Sequence, residues 1–511
     1  MSGAASTPDA QRGVARFLPL VAVLAAAILF RLPPILHAAQ TNSDAAIVGL
    51  QAMHVLRGEW SWFLWGSGYQ TSVDAAFAAV LFGLAGATPR ALLCSSLALH
   101  LVATSLLWST LARRIGPARA ALAVFPLVLT SSPLQTYILY PPRQASLTIA
   151  VAALWALDRA ADAQRVRAFV VSGALVGLAC FADPYALVLV PPLAAFAIAC
   201  SLGRGTRATA ANLAAFAAGA SLGAVPFALL RVARRATSGQ LALGLDPPAL
   251  ARHARLLVES ALPWTLGARA YSASSALGYG PWPGPLAVRV LLLVGGGVFL
   301  GALVVGGALA VARSVSWPVR RLAIAGAVGY LAAIGGFLVS PMVMDLFSSR
   351  YLAAIPLLAP LALAPLAARF GARRFGVFVA PAALACAIAG WVGYGPFLAT
   401  PSEDDARLVA ALAERGIRFA TADYWAAYRL TFLARERVTF VPTNVSEDRY
   451  PPYRAAFDAA PIVAYVFDPE RSREQERSMD SAVESGHTAY APHPEEIDVG
   501  RFRVLLLTRE R

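Results

Sequence analysis

The sequence predicts a polytopic α-helical membrane protein of about eleven spans with a small α/β domain at its C-terminus. Three observations predict this. Hydrophobic residues make up 58% of the 511 and charged residues only 14%, which is too apolar for a water-facing surface. Ala/Leu/Val-rich runs recur from residue 15 to 393, and after Pro396 short alternating and amphipathic stretches replace them. The 43 basic residues, every one an Arg, punctuate the apolar runs rather than forming blocks. Despite the formal net charge of +14, that spacing suits membrane orientation and argues against a nucleic-acid partner. The absence of Lys excludes a Schiff-base mechanism and a Walker-type phosphate loop.

The apolar runs fall near 15–31, 91–111, 118–132, 143–158, 167–182, 185–201, 208–232, 286–312, 321–340, 351–367 and 375–393. The first reads as an uncleaved span, because it ends in Phe30-Arg31-Leu32-Pro33-Pro34 rather than in a small-residue cleavage site. Short Arg-rich connections at 112–119, 158–167, 203–207, 313–321 and 369–374 alternate with others at 31–90, 131–143, 181–185, 233–285 and 340–350. The positive-inside rule puts the first set and the N-terminus in the cytoplasm. The second set and the C-terminal domain then face outward. Residues 1–395 form the membrane domain, with the outer loop 31–90, and 396–511 form an extracytoplasmic domain. Cys94, Cys180, Cys200 and Cys386 all lie in apolar runs without metal-ligand spacing and read as packing residues. The glycine-rich run at 295–307 lacks the strand and the following acid of a dinucleotide site, and suits close helix packing instead.

The loop 31–90 is the most chemically varied stretch. Within 44–57, Ile47, Leu50, Met53 and Leu56 recur at helical spacing, which predicts an amphipathic helix with Asp44 at its opening and Asn42, Ser43 or Asp44 as its cap. A second interfacial helix is expected over 75–88. Beyond residue 396, a helix over 403–416 ends at Gly416. Strands are expected over 417–422, 437–443, 461–468 and 501–508, with helices near 424–434, 450–458 and 470–485.

These features resemble the GT-C superfamily of integral-membrane glycosyltransferases, and within it the family-39-type protein mannosyltransferases and aminoarabinose transferases. Four stretches carry the resemblance. A first span ends in Phe30-Arg31-Leu32 and leads to Asp44 at a helix opening. That helix runs into Leu56-Arg57-Gly58-Glu59-Trp60, and the second interfacial helix ends in LFGLAGATPRALL. Ser349-Arg350-Tyr351-Leu352, with Pro356 following, opens a late span. Two departures stand out: Asp44 is followed by Ala45 where relatives often pair Asp with Glu, and the Lys of the aminoarabinose transferases' phosphate site has no counterpart.

The resemblance implies transfer of a sugar from a polyprenyl-phosphate carrier to a lipid, glycan or protein acceptor at the outer face of a bacterial cytoplasmic membrane. Such chemistry needs a base for the acceptor proton and positive charge for the departing phosphate. Asp44 is the candidate base, with a helix cap as the alternative role. Arg143, Arg350 and Tyr351 are candidates for the donor phosphate, with snorkelling to headgroups the alternative for the arginines. Weaker substrate-binding candidates are His54, Glu59, Asp74, Tyr140 and Asp183. Their bland counterparts are an isolated His, a solvated turn, a helix cap, a membrane anchor and a turn between spans. Trp60, Trp62 and Trp65 read as an interfacial aromatic belt, or as faces on which sugars stack. No cluster has clear metal spacing, and a divalent cation shared by Asp44 and the lipid phosphate stays open. The connection at 233–285 suits a lid or a plain connector. The competing function is a transporter or flippase. It is disfavoured because ionisable residues sit at span ends rather than at mid-membrane.

Overall fold

The computed structural model describes residues 16–131, 134, 138–163, 165–203, 205–233, 243–275, 278–394, 403–468, 472–484 and 495–509. The chain divides into two compact units. One holds residues 1–32, 97–139 and 143–396; the other holds 33–96, 140–142 and 397–511.

The first unit is α-helical. Among the described residues, six helices are long and apolar enough to cross a membrane: Pro89–Ile115, Pro184–Ser201, Thr206–Val232, Leu286–Val311, Trp317–Val339 and Ala372–Gly393. Pro89–Ile115 starts in the second unit's stretch of sequence and runs on into the first. Leu346–Leu352 and Ala354–Arg369, bent by 46° at their junction, make a seventh if taken as one span. This corrects the expected count of about eleven. The excess arose because an apolar run is not a continuous helix. The run at 15–31 gives the 13-residue helix Leu18–Phe30, whose length of about 20 Å falls short of a hydrocarbon core of about 30 Å. The run at 118–132 breaks into Pro117–Ala123 and Phe125–Val128. Val166–Ala182 has 17 residues. Gln144–Ala163 reaches 20 residues but carries Asp158, Arg159 and Asp162. With fewer spans, the strict alternation of inner and outer loops loses its basis.

Part of the Arg-rich pattern is structural. Asp158 is fully buried, 2.8 Å from Arg114 Nη2 and 3.0 Å from Arg321 Nη2, and Arg113 bridges Asp158 and Asp162. A carboxylate so deeply placed requires such partners. Arg31, also fully buried, donates to the carbonyls of Ala27, Leu127 and Val128. The glycine-rich helix packs as closely as its sequence suggests: a Cβ on Gly306 would lie 2.2 Å from the Ala362 carbonyl oxygen.

The second unit joins the loop after the first helix to the C-terminal α/β fold. Its five-stranded sheet has the order Thr439–Pro442, Phe419–Ala422, Ile462–Phe467, Phe502–Thr508, Glu495–Val499. The first three strands are parallel and the last two pair antiparallel. The hydrophobic alternation locates four of these strands. The edge strand Glu495–Val499 is mostly polar and exposed, so it leaves no such signal. Helix Ser43–Leu56 is buried almost all round and packs against helix Tyr424–Leu433. Gly49 sits at their closest approach, where a Cβ would meet the Phe432 ring at 2.7 Å. The helical spacing of Ile47 and Leu50 therefore reports a protein core, shared with Phe82, Tyr428 and Phe432; Leu56 is 51% exposed.

Candidate functional site

In the second unit, Asn42 caps helix Ser43–Leu56, its Oδ1 accepting from the Ala45 amide at 2.8 Å. That leaves the carboxylate of Asp44, in the positive first turn, without capping duty. Instead Asp44 Oδ1 accepts from the Tyr424 hydroxyl at 2.5 Å, across 380 residues of sequence. The same tyrosine's carbonyl accepts from Ser43 Oγ at 2.5 Å, so the helix opening is tied to Tyr424 twice. Burial, and then the neighbouring Asp44 charge, push the Tyr424 phenol far above its ordinary value, which keeps it a donor. Arg449 completes the group, donating from Nε to the Tyr424 hydroxyl at 3.3 Å and from Nη1 to the Gly66 carbonyl at 3.0 Å.

At the other end of this helix, Gly58 adopts φ +85°, a conformation that favours glycine. It turns the chain so that the Glu59 amide donates to the His54 carbonyl at 2.9 Å. The Glu59 side chain then returns to the imidazole: Oε2 lies 2.5 Å from His54 Nδ1, while Glu436 Oε1 lies 2.7 Å from Nε2. His54 is therefore held between two carboxylates rather than isolated. Glu436 also accepts from Arg57 and from the Tyr453 hydroxyl. Burial raises its carboxyl, but these three hydrogen bonds outweigh it and hold the group down at about 2. Glu436 sits in a turn where both it and Arg435 have left-handed backbones, at φ 60° and 50°, a strain that concentrates where geometry is over-determined.

Between these two clusters lies an open cavity of about 460 Å³, lined by His54, Glu59, Trp60, Trp65, Arg449 and Tyr450 among others. Trp65 and Tyr450 stack on one another, with centroids 3.9 Å apart and planes at 18°. Asp74 is buried in the first turn of Val73–Ala85, whose cap position, Ser72, makes no side-chain cap bond. Tyr140 packs against the apolar core of this unit.

The remaining candidates lie in the first unit. Arg143 Nε is 3.2 Å from Asp183 Oδ2, with Asp183 buried. Asp183 also accepts from the Tyr185 amide at 2.8 Å, so it closes the turn before the next span as well as pairing with Arg143. The Tyr185 hydroxyl donates to the Tyr351 carbonyl at 2.9 Å and accepts from the Ala354 amide at 3.0 Å. Arg350 Nη2 donates to the Tyr351 hydroxyl at 3.3 Å, and its guanidinium lies 4.0 Å over the Phe347 ring. The sequence candidates thus fall into pairs, Arg143 with Asp183, Arg350 with Tyr351 and His54 with Glu59. Asp44 instead meets Tyr424, whose hydroxyl Arg449 also reaches, and the sequence marks neither partner. Their stretches, ADYWAAY and RYPPY, are rich in aromatic and charged residues, but no local periodicity marks a pairing across the chain. Among the described residues, no group of three or more His, Cys, Asp and Glu side chains forms a metal site.

A family model, dolichyl-phosphate-mannose-protein mannosyltransferase, matches residues 71–229. That stretch includes Asp74, Tyr140, Arg143 and Asp183 but not Asp44 or Arg350. No curated protein matches the sequence. The structure is similar to that of ArnT from Cupriavidus metallidurans bound to undecaprenyl phosphate, with a TM-score of 0.55 and 12% identity over 95% of this chain and 97% of that one. The apo state of the same protein gives 0.54 and 12%, over 91% and 93%. The oligosaccharyltransferase of Archaeoglobus fulgidus, in complex with Zn and sulfate, gives 0.50 and 10%, over 90% of this chain and 69% of that one. At these identities the likeness is one of fold. The chain is a multi-pass membrane protein whose fold is similar to that of ArnT, and its residues 71–229 match the dolichyl-phosphate-mannose-protein mannosyltransferase family model.

Proposed function

We propose that the protein is a membrane glycosyltransferase that moves a sugar from a polyprenyl-phosphate-linked donor to an acceptor at the outer face of a bacterial cytoplasmic membrane. In this reading the C-terminal domain lies outside. The observation that carries it is the Asp44 carboxylate: half-buried, relieved of capping by Asn42, and oriented through Oδ1 by the Tyr424 hydroxyl. Asp44 acts as general base. It takes the proton of an acceptor hydroxyl as that oxygen bonds to the sugar's anomeric carbon and the bond to the carrier phosphate breaks. The departing polyprenyl phosphate carries the negative charge away. Arg143, Arg350 and the Tyr351 hydroxyl are this chain's candidates for binding the donor phosphate, since guanidinium groups match phosphate oxygens in a bidentate manner. Asp183 holds Arg143 in place through the 3.2 Å pair. The fold's likeness to a protein solved with undecaprenyl phosphate, and the family match over 71–229, support this donor class.

The test is transfer itself. The purified full chain in proteoliposomes is given polyprenyl-phosphate-linked sugars and membrane extract as acceptor source. Release of polyprenyl phosphate coupled to a glycosylated product is expected. Failure with every lipid-linked sugar would remove the proposal.

A further inference from the structure

The acceptor class is the part of the reaction left most open, and the cavity beside Asp44's partners bears on it. Resting on the glycosyltransferase reading above, we infer that the groove between Glu59–Ser67 and Arg449–Pro452 is a saccharide-binding subsite, so that the acceptor carries a glycan.

The groove has the parts such a ligand needs. A sugar ring presents a C–H face that packs on an aromatic face, and hydroxyls that donate to carboxylates and accept from guanidinium groups. Trp60 lines the groove and is 48% exposed, so a ring face is open to a ligand. Trp65 is stacked against Tyr450 and buried, which makes it a rigid wall. Glu59 is fixed through Oε2 on His54 while its side chain stays 56% exposed, leaving a carboxylate available at the rim. Arg449 is anchored to the Gly66 carbonyl and stands at the opposite side. The volume, about 460 Å³, fits one or two sugar rings rather than an extended polypeptide. Arg449 also joins the groove to Tyr424 and so to Asp44. A glycan held here lies on the same hydrogen-bonded network as the base.

Trp62 supplies the control. It is exposed to the same degree, 46%, and meets Trp60 edge-on at 5.7 Å, yet it does not line the groove. A membrane belt would use both rings alike, whereas a saccharide groove uses only Trp60. The full chain in nanodiscs is titrated with mannotetraose, chitotetraose and maltotetraose, with binding read by saturation-transfer NMR. At least one is expected to bind. Trp60→Ala and Glu59→Gln should each weaken that binding about tenfold or more, with Trp62→Ala within twofold of the parent. Binding of none of the three, or equal losses in Trp60→Ala and Trp62→Ala, would overturn the inference. Circular dichroism of each variant separates lost binding from lost fold. The two readings fail separately. Transfer without oligosaccharide binding removes the groove's role and leaves the enzyme. Binding at the groove without transfer from any lipid-linked sugar leaves the saccharide subsite and removes the glycosyltransferase reading on which its acceptor role rests.

Discussion

Replacing Tyr424 by Phe removes one oxygen and keeps the ring that packs in the core of the second unit. Two hydrogen bonds go with it: the donation to Asp44 Oδ1 at 2.5 Å and the acceptance from Arg449 Nε at 3.3 Å. A hydrogen bond to a charged group contributes about 1.5–3 kcal/mol. Asp44 is only half-buried, so water replaces part of the loss, and a net effect of about 1–2 kcal/mol remains. If the bond orients the base, that energy appears in the barrier as roughly a 5–30-fold fall in kcat/KM. The assay compares parent, Tyr424→Phe, Asp44→Asn and the double variant for transfer in proteoliposomes, with thermal unfolding of each. Because the hydroxyl acts through Asp44, the double variant should be no worse than Asp44→Asn alone. Losses that multiply, or a Tyr424→Phe enzyme with full activity, would refute the coupling.

Three further outcomes follow from the geometry. Gly49→Ala should destabilise the second unit by about 1–3 kcal/mol, because its methyl group meets the Phe432 ring; limited proteolysis of the C-terminal domain reads this. Glu436, held at about 2 against an ordinary 4.5, stabilises the fold fully above pH ~4.5, and its contribution is lost as pH falls toward 2. Acid unfolding should thus steepen below about pH 5 in the parent, and Glu436→Gln should flatten that dependence. Asp183→Ala, which removes the buried carboxylate 3.2 Å from Arg143 Nε, should cost about 3–5 kcal/mol. Arg143→Ala combined with it should cost less than the sum of the two single changes, as read by thermal unfolding in detergent.

How much of this was legible in the sequence depends on the distance over which each feature is set. The helix opening at Asp44 and its end at Gly58 are local, and cap and turn chemistry mark both. The strands at 417–422 and 461–468 show in their own alternation. The count of spans exceeds the structure's because an apolar run need not be one continuous helix, as the run at 118–132 shows by breaking into Pro117–Ala123 and Phe125–Val128. Among the candidate residues, the sequence singles out Asp44 by its place at a helix opening and the arginines by their place at span ends. It does not single out Tyr424, Glu436 and Arg449, because their partners lie more than 370 residues away and nothing in one sequence pairs them. His54 read as isolated for the same reason.

The central claim is that Asp44 is the base of a sugar transfer. It is tested most directly by kcat/KM for Asp44→Asn against the parent, in proteoliposomes with the same polyprenyl-phosphate sugar and with folding verified by thermal unfolding. The account predicts a fall of about 10²–10⁴-fold with little change in stability, since Asn42 and not Asp44 caps the helix. Transfer at the parent's rate by the folded variant would contradict it.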